Sequence, residues 1–135
     1  SCPDGYTMFR GICYKAFGAQ QDFSDAAAIC GEDGGTLAMP RDAETNDFLA
    51  TMRLSNQYRH RVFWIGLHDQ SKEGSFKWMD GSALGGYTAF LPGVDPYFPG
   101  TCVTYYAFQE NRWANHPCHK KKSFICQVTA GASGE

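Results

Sequence analysis

The chain has 135 residues, of which 43% are hydrophobic, 15% aromatic and 19% charged, with a formal net charge of −2. That length suits one domain with a substantial core and leaves little room for a second. The composition excludes a disordered chain, the near-neutral charge gives no global pull toward nucleic acid, and no apolar run is long enough to insert across a membrane.

Six cysteines stand at Cys2, Cys13, Cys30, Cys102, Cys118 and Cys126, an even count with no close doublet of the kind that holds a structural metal. They read as a disulfide framework, which requires an oxidising compartment and points to a secreted, extracellular protein. No leader-like segment precedes Cys2, as expected of a processed N-terminus, and there is no Asn-x-Ser/Thr acceptor.

Residues 1–17 read as strand, turn and strand, with Cys2 and Cys13 placed for a local staple. Residues 22–30 read as a helix: Asp22 is an N-cap, Asp25 favours the positive end of the helix dipole, and Phe23, Ala26, Ala27 and Cys30 share one face. Thr36–Met39 is a short apolar strand. Pro40 and Asp42 announce a second helix with Phe48, Leu49 and Met52 turned inward. Residues 55–61 form a polar loop, Val62–Leu67 a continuous apolar run suited to a central buried strand, and 76–79 an alternating strand closed by Asp80-Gly81. Residues 81–101, rich in glycine and proline, form a long loop, and loops of this length in compact domains usually carry function. Residues 102–108 and 123–128 are strands. The small, polar residues 129–135 read as a flexible tail beyond a domain spanning 1–128. Helices early and strands late make the order α+β.

Trp64-Ile65-Gly66-Leu67, Gly34-Gly35-Thr36-Leu37-Ala38 and Phe124-Ile125-Cys126, with the cysteine spacing, resemble the C-type lectin-like domain in its long form over about residues 2–127. The resemblance implies a fold of two helices packed on antiparallel sheets with a long loop. It also implies the pairings Cys2–Cys13, Cys30–Cys126 and Cys102–Cys118, which spacing alone leaves open.

Sugar-binding members of that family hold calcium in the long loop and the strand that follows, and calcium needs about 6–8 oxygen donors. This chain departs from the family's donor set. The Glu-Pro-Asn slot reads Asp95-Pro96-Tyr97, the acidic position before Cys102 reads Gly100-Thr101, and the Trp-Asn-Asp slot reads Trp113-Ala114-Asn115. Asp95 and Asn115 are the residual oxygens. A second calcium position is matched by Asp69 and Glu73 but lacks its other acids. Calcium therefore stays open as a ligand, with its role weakened or lost, and no other cofactor is implied. Aromatics gather between 87 and 113, and Tyr97, Phe98 and Tyr106 are the ones expected at the surface beside Asp95 and Asn115, where rings stack on sugars or anchor a protein. The expected binding face is the long loop with the strand 102–108.

Basic residues cluster as Arg59-His60-Arg61 and His119-Lys120-Lys121-Lys122, which suits a sulfated or phosphorylated partner or a solvated rim. His116 and His119 bracket Cys118, whose thiol is expected in a disulfide. No G-x-S-x-G, H-E-x-x-H or phosphate-loop motif is present, so the chain is not expected to be an enzyme. The expectation is a lectin-like domain binding glycans or microbial surface polysaccharide. The rival is a protein-binding module that ignores sugars.

Overall fold

The computed structural model describes residues 1–55, 57, 59–72, 74–92, 101–106 and 111–131. In chain order they form β1 (Thr7–Phe9), β2 (Ile12–Gln21), α1 (Phe23–Glu32), β3 (Thr36–Leu37), α2 (Ala43–Ser55), β4 (Phe63–His68), β5 (Lys77–Trp78), β6 (Thr101–Tyr105), β7 (Trp113–Pro117) and β8 (Lys122–Thr129). The strands join in the order β1-β2-β8-β4-β6-β7, with β3 on β8 and β5 on β4. The α+β fold and all three expected disulfides are present.

The centre of the molecule is β4. Its residues are buried on both faces, and this explains the unbroken apolar run. Phe63, Ile65 and Leu67 enter one core cluster with Leu49 of α2, Val103, Tyr105, Trp113 and Ile125. Trp64 enters the other, with Phe23, Ala26 and Cys30 of α1, Leu37 and Phe124. The helices thus cover opposite faces of the β4–β8 pair. Gly66 has no side chain because the backbone leaving β3 crosses it: its N–H donates to the Ala38 carbonyl at 2.7 Å, and a Cβ there would stand 2.8 Å from the Leu37 oxygen.

Local signals explain the helices. Asp22 caps α1 by accepting from the Asp25 N–H at 2.8 Å, an arrangement that stabilises by about 1 kcal/mol. Asp42 does the same for α2, accepting from the Thr45 N–H at 2.8 Å, and this hydrogen bond holds its carboxyl below the usual range. The disulfide Cys30–Cys126 ties α1 to β8 across 96 residues of chain, which in the chain-entropy model contributes roughly 4–5 kcal/mol.

Four expectations need correction. First, α2 buries Thr45, Asn46, Leu49, Ala50 and Arg53, whereas Phe48 and Met52 lie at its margin and Phe48 stacks on Phe9 of the N-terminal hairpin at 4.4 Å. Second, the strand placed at 102–108 runs from Thr101 to Tyr105, and every residue in it is buried. Its edges pair with β4 and β7, and its five side chains are interior. Third, β7 was not anticipated from the sequence. Its polar residues form a strand because β6 pairs with them from Thr101↔Pro117 to Tyr105↔Trp113. Fourth, Thr129 and Gly131, expected in the tail, are both held by the fold. β8 includes Thr129, and Gly131 exchanges main-chain hydrogen bonds with Ser1 at 2.9 and 3.0 Å. Residues 132–135 lie outside the described residues.

At Gly35 a Cβ would collide with the Gln127 carbonyl on β8, whereas Gly31 faces open space. Gly35→Ala is expected to lower stability by about 2 kcal/mol or more, since no flexible side chain is there to yield. Gly31→Ala, in the last turns of α1, is expected to be neutral or slightly stabilising. Urea unfolding of the two variants beside the parent checks both.

Candidate functional site

Immediately after β4 comes Asp69, 1% exposed. Its Oδ1 accepts from the Thr101 N–H at 2.7 Å and lies 3.5 Å from the Thr101 hydroxyl, while its Oδ2 accepts from the Gly74 N–H at 3.2 Å. Its own N–H donates to the Thr101 carbonyl at 3.1 Å. One side chain therefore fastens the end of β4, Gly74 and the first residue of β6. Beside it, His68 Nδ1 accepts from the Gln70 N–H at 3.2 Å, and burial lowers the pKa of its imidazole.

The first half of the long loop is strapped to the core. Trp113 and residues 89–91 exchange main-chain hydrogen bonds, with the Trp113 N–H on the Ala89 carbonyl at 2.7 Å and the Leu91 N–H on the Trp113 carbonyl at 2.8 Å. Tyr87, Phe90 and Trp78 surround the Trp113 indole edge-on, with centroids 6.0, 5.4 and 5.8 Å away. These loop aromatics serve packing.

Behind them sits a polar group that sequence reasoning missed. Fully buried Asn46 accepts through Oδ1 from the Tyr105 hydroxyl at 2.7 Å and from the Trp113 indole N–H at 2.9 Å. Its Nδ2 donates to the Asn111 carbonyl at 2.7 Å. Arg53, two turns along the same face and also buried, reaches the carbonyls of Arg61 and Tyr106 at 3.3 Å each. The signal was in the spacing: Asn46, Leu49, Ala50 and Arg53 fall at i, i+3, i+4 and i+7, a stripe visible once polar residues are admitted to it.

Among the residues expected to bind, Tyr106 is half-buried at the end of β6, its N–H on the Arg112 carbonyl at 2.7 Å. Asn115 is half-buried on β7 opposite Val103. In register the two stand three residues apart, about 10 Å, so the structure does not join them into one contact point. Asp69 lies at the Thr101 end of the same strands. Asp95, Tyr97, Phe98 and Glu73 lie outside the described residues.

Among the described residues, the donors around Asp69 are few for a calcium ion, which takes about 6–8 oxygens. Both carboxylate oxygens already accept main-chain N–H groups, Thr101 stands where an acid would be needed, and Asn115 brings a neutral amide. Among the described residues no group of three His, Cys, Asp or Glu side chains is placed to hold a metal ion.

Residues 19–128 match the family model of the lectin C-type domain. The chain belongs to this family, whose members are recognition modules. It is 31% identical over 97% of its length to the CD209 antigen of Symphalangus syndactylus, spanning 34% of that protein. It is 30% identical over 96% of its length to a snaclec coagulation factor IX/factor X-binding protein of Gloydius halys, spanning 84% of that chain. Among solved structures, a mouse scavenger receptor C-type lectin carbohydrate-recognition domain superposes with a TM-score of 0.85 at 25% identity, covering 98% of this chain and 99% of the other. The chain thus spans about a third of the CD209 relatives it matches.

Replacing Asp69 by Ala leaves the buried Thr101 N–H and the half-buried Gly74 N–H without their acceptor, at a cost of about 2 kcal/mol. Urea unfolding of Asp69→Ala is expected to show that loss equally in calcium and in chelator. A loss seen only in calcium would mean that the carboxylate acts as an ion ligand.

Proposed function

We propose that this domain is an extracellular recognition module that binds glycans or microbial surface polysaccharide without a bridging calcium ion. The contacts come from Asp95, Tyr97 and Phe98 of the long loop, with Tyr106 and Asn115 as two separate outlying contacts about 10 Å apart. The observation that supports the reading is the depleted donor set of the bridging position, where Thr101 and Ala114 bring no carboxylate and Asn115 only a neutral amide. At the second position the Asp69 carboxylate is engaged by main-chain N–H groups. Hydrogen bonding and ring stacking then remain as the means of holding a sugar. The three disulfides support an oxidising, extracellular setting, and the similarity to a carbohydrate-recognition domain supports the ligand class.

A second reading has its own support. The snaclec relative is named for binding coagulation factors, and this chain covers most of its length. In that version the loop aromatics anchor a protein partner.

Retention on immobilised glycans and microbial polysaccharides, in calcium and again in chelator, separates these readings. Binding that survives chelation, and falls at least tenfold in Tyr97→Ala or Asn115→Ala, is the expected result. Binding abolished by chelator would overturn the calcium-free mode. Silence across the panel, with capture of one defined protein, would favour the second reading.

A further inference from the structure

The two basic runs are far apart in sequence, but the fold delivers them to one edge. β4 and β8 are parallel neighbours, with Phe63 opposite Ser123 and Trp64 opposite Phe124. Parallel strands enter their sheet from the same side, and neighbours stand about 4.8 Å apart. The residues leading into them, Arg59-His60-Arg61 and His119-Lys120-Lys121-Lys122, must therefore meet there. Side-chain bonds support the meeting. The Arg61 guanidinium donates to the Gly18 carbonyl at 2.6 Å, the Ser123 hydroxyl donates to the same oxygen at 2.9 Å, and Lys122 lies opposite Gln21.

Arg59, Lys120 and Lys121 are exposed and Lys122 is half-exposed. None of these four is in an ion pair with another described residue. The carboxylates bordering the edge are Asp22 and Asp25 at the start of α1, where the Phe23 N–H meets the Cys118 carbonyl at 3.1 Å, and Asp22 is engaged in capping. Cations outnumber acids locally although the whole chain carries −2. Such concentration of one sign attracts a polyanion.

We propose that this edge is a binding site for a sulfated polysaccharide, with the arginine run and the lysine run gripping the same chain. The exposed groups are guanidinium, ammonium and imidazole, which suit sulfate oxygens better than they suit a bilayer interior or stacked bases. The oxidising setting implied by the disulfides is also where sulfated polysaccharides are met. The site differs from the glycan reading in using cationic side chains. Asp69 lies past the far end of β4, about 20 Å along the strand, although Tyr106 lies near this end, where Arg53 reaches the carbonyls of both Arg61 and Tyr106.

Binding to a heparin oligosaccharide, measured by calorimetry at several salt concentrations, tests the proposal. Lys120→Ala/Lys121→Ala and Arg59→Ala leave Arg61 and its bond to Gly18 intact, and far-ultraviolet circular dichroism verifies their folding. Lys72→Ala removes one charge at the other end of β4. The expected result is parental affinity that falls steeply with salt, at least a tenfold loss in the lysine pair, a several-fold loss in Arg59→Ala, and no change in Lys72→Ala. No binding by the parent protein, or equal losses in all three variants, would overturn the proposal. Equal binding of desulfated heparin would overturn sulfate recognition. Equal binding of a DNA fragment or anionic vesicles of matched charge would overturn the polysaccharide assignment.

Discussion

Everything else in this molecule is arranged around a strand that must be dry on both faces. β4 sends Phe63, Ile65 and Leu67 to the α2 side and Trp64 to the α1 side, so the two helices become its covers. Because Gly66 has no side chain, the β3 backbone can cross directly over it. Parallel pairing with β8 places the two basic runs at its beginning, and its last residue hands the chain to Asp69. One constraint, burial of a six-residue strand from both sides, therefore sets the core, a charged edge and the anchor of the long loop.

On the calcium-free reading, the loop anchor holds the fold's shape by hydrogen bonds to one carboxylate. A calcium ion gathers oxygens and so fastens the segments that carry them. Here Asp69 gathers N–H groups instead, drawing Gly74 and the start of β6 to the end of β4. The Thr101 hydroxyl, 3.5 Å from Asp69 Oδ1, adds a neutral group beside the main-chain donor. Asn46 acts similarly on the opposite side, taking the Tyr105 and Trp113 donors into one buried amide and holding α2 against β6 and β7. Both groups have their hydrogen-bonding capacity engaged, and that is the condition under which buried polarity specifies a structure.

Much of this was legible in the residues. The apolar run 62–67, the caps at Asp22 and Asp42 and the apolar stripe of α1 report local physics and were readable directly. The disulfide pairing came from the family resemblance, because spacing cannot choose among pairings. What escaped depended on partners distant in sequence. β7 has no alternation of its own and exists because β6 needs a neighbour. Thr101–Tyr105 contains polar residues yet is wholly interior, because its neighbours and covers come from distant parts of the chain. Asn46 and Arg53 are polar, and their burial depends on partners on β6, the 61 loop and Asn111 that no local pattern supplies. The joining of the two basic runs required the strand order, which no local pattern contains.

The central claim is that main-chain donors, not an ion, occupy the Asp69 carboxylate. The most direct measurement is a high-resolution crystal structure of the domain grown in millimolar calcium. The expected result is Asp69 Oδ1 and Oδ2 still on the N–H groups of Thr101 and Gly74, with no spherical density within coordination distance of either oxygen. An ion bound by Asp69, with those N–H groups turned away, would contradict it.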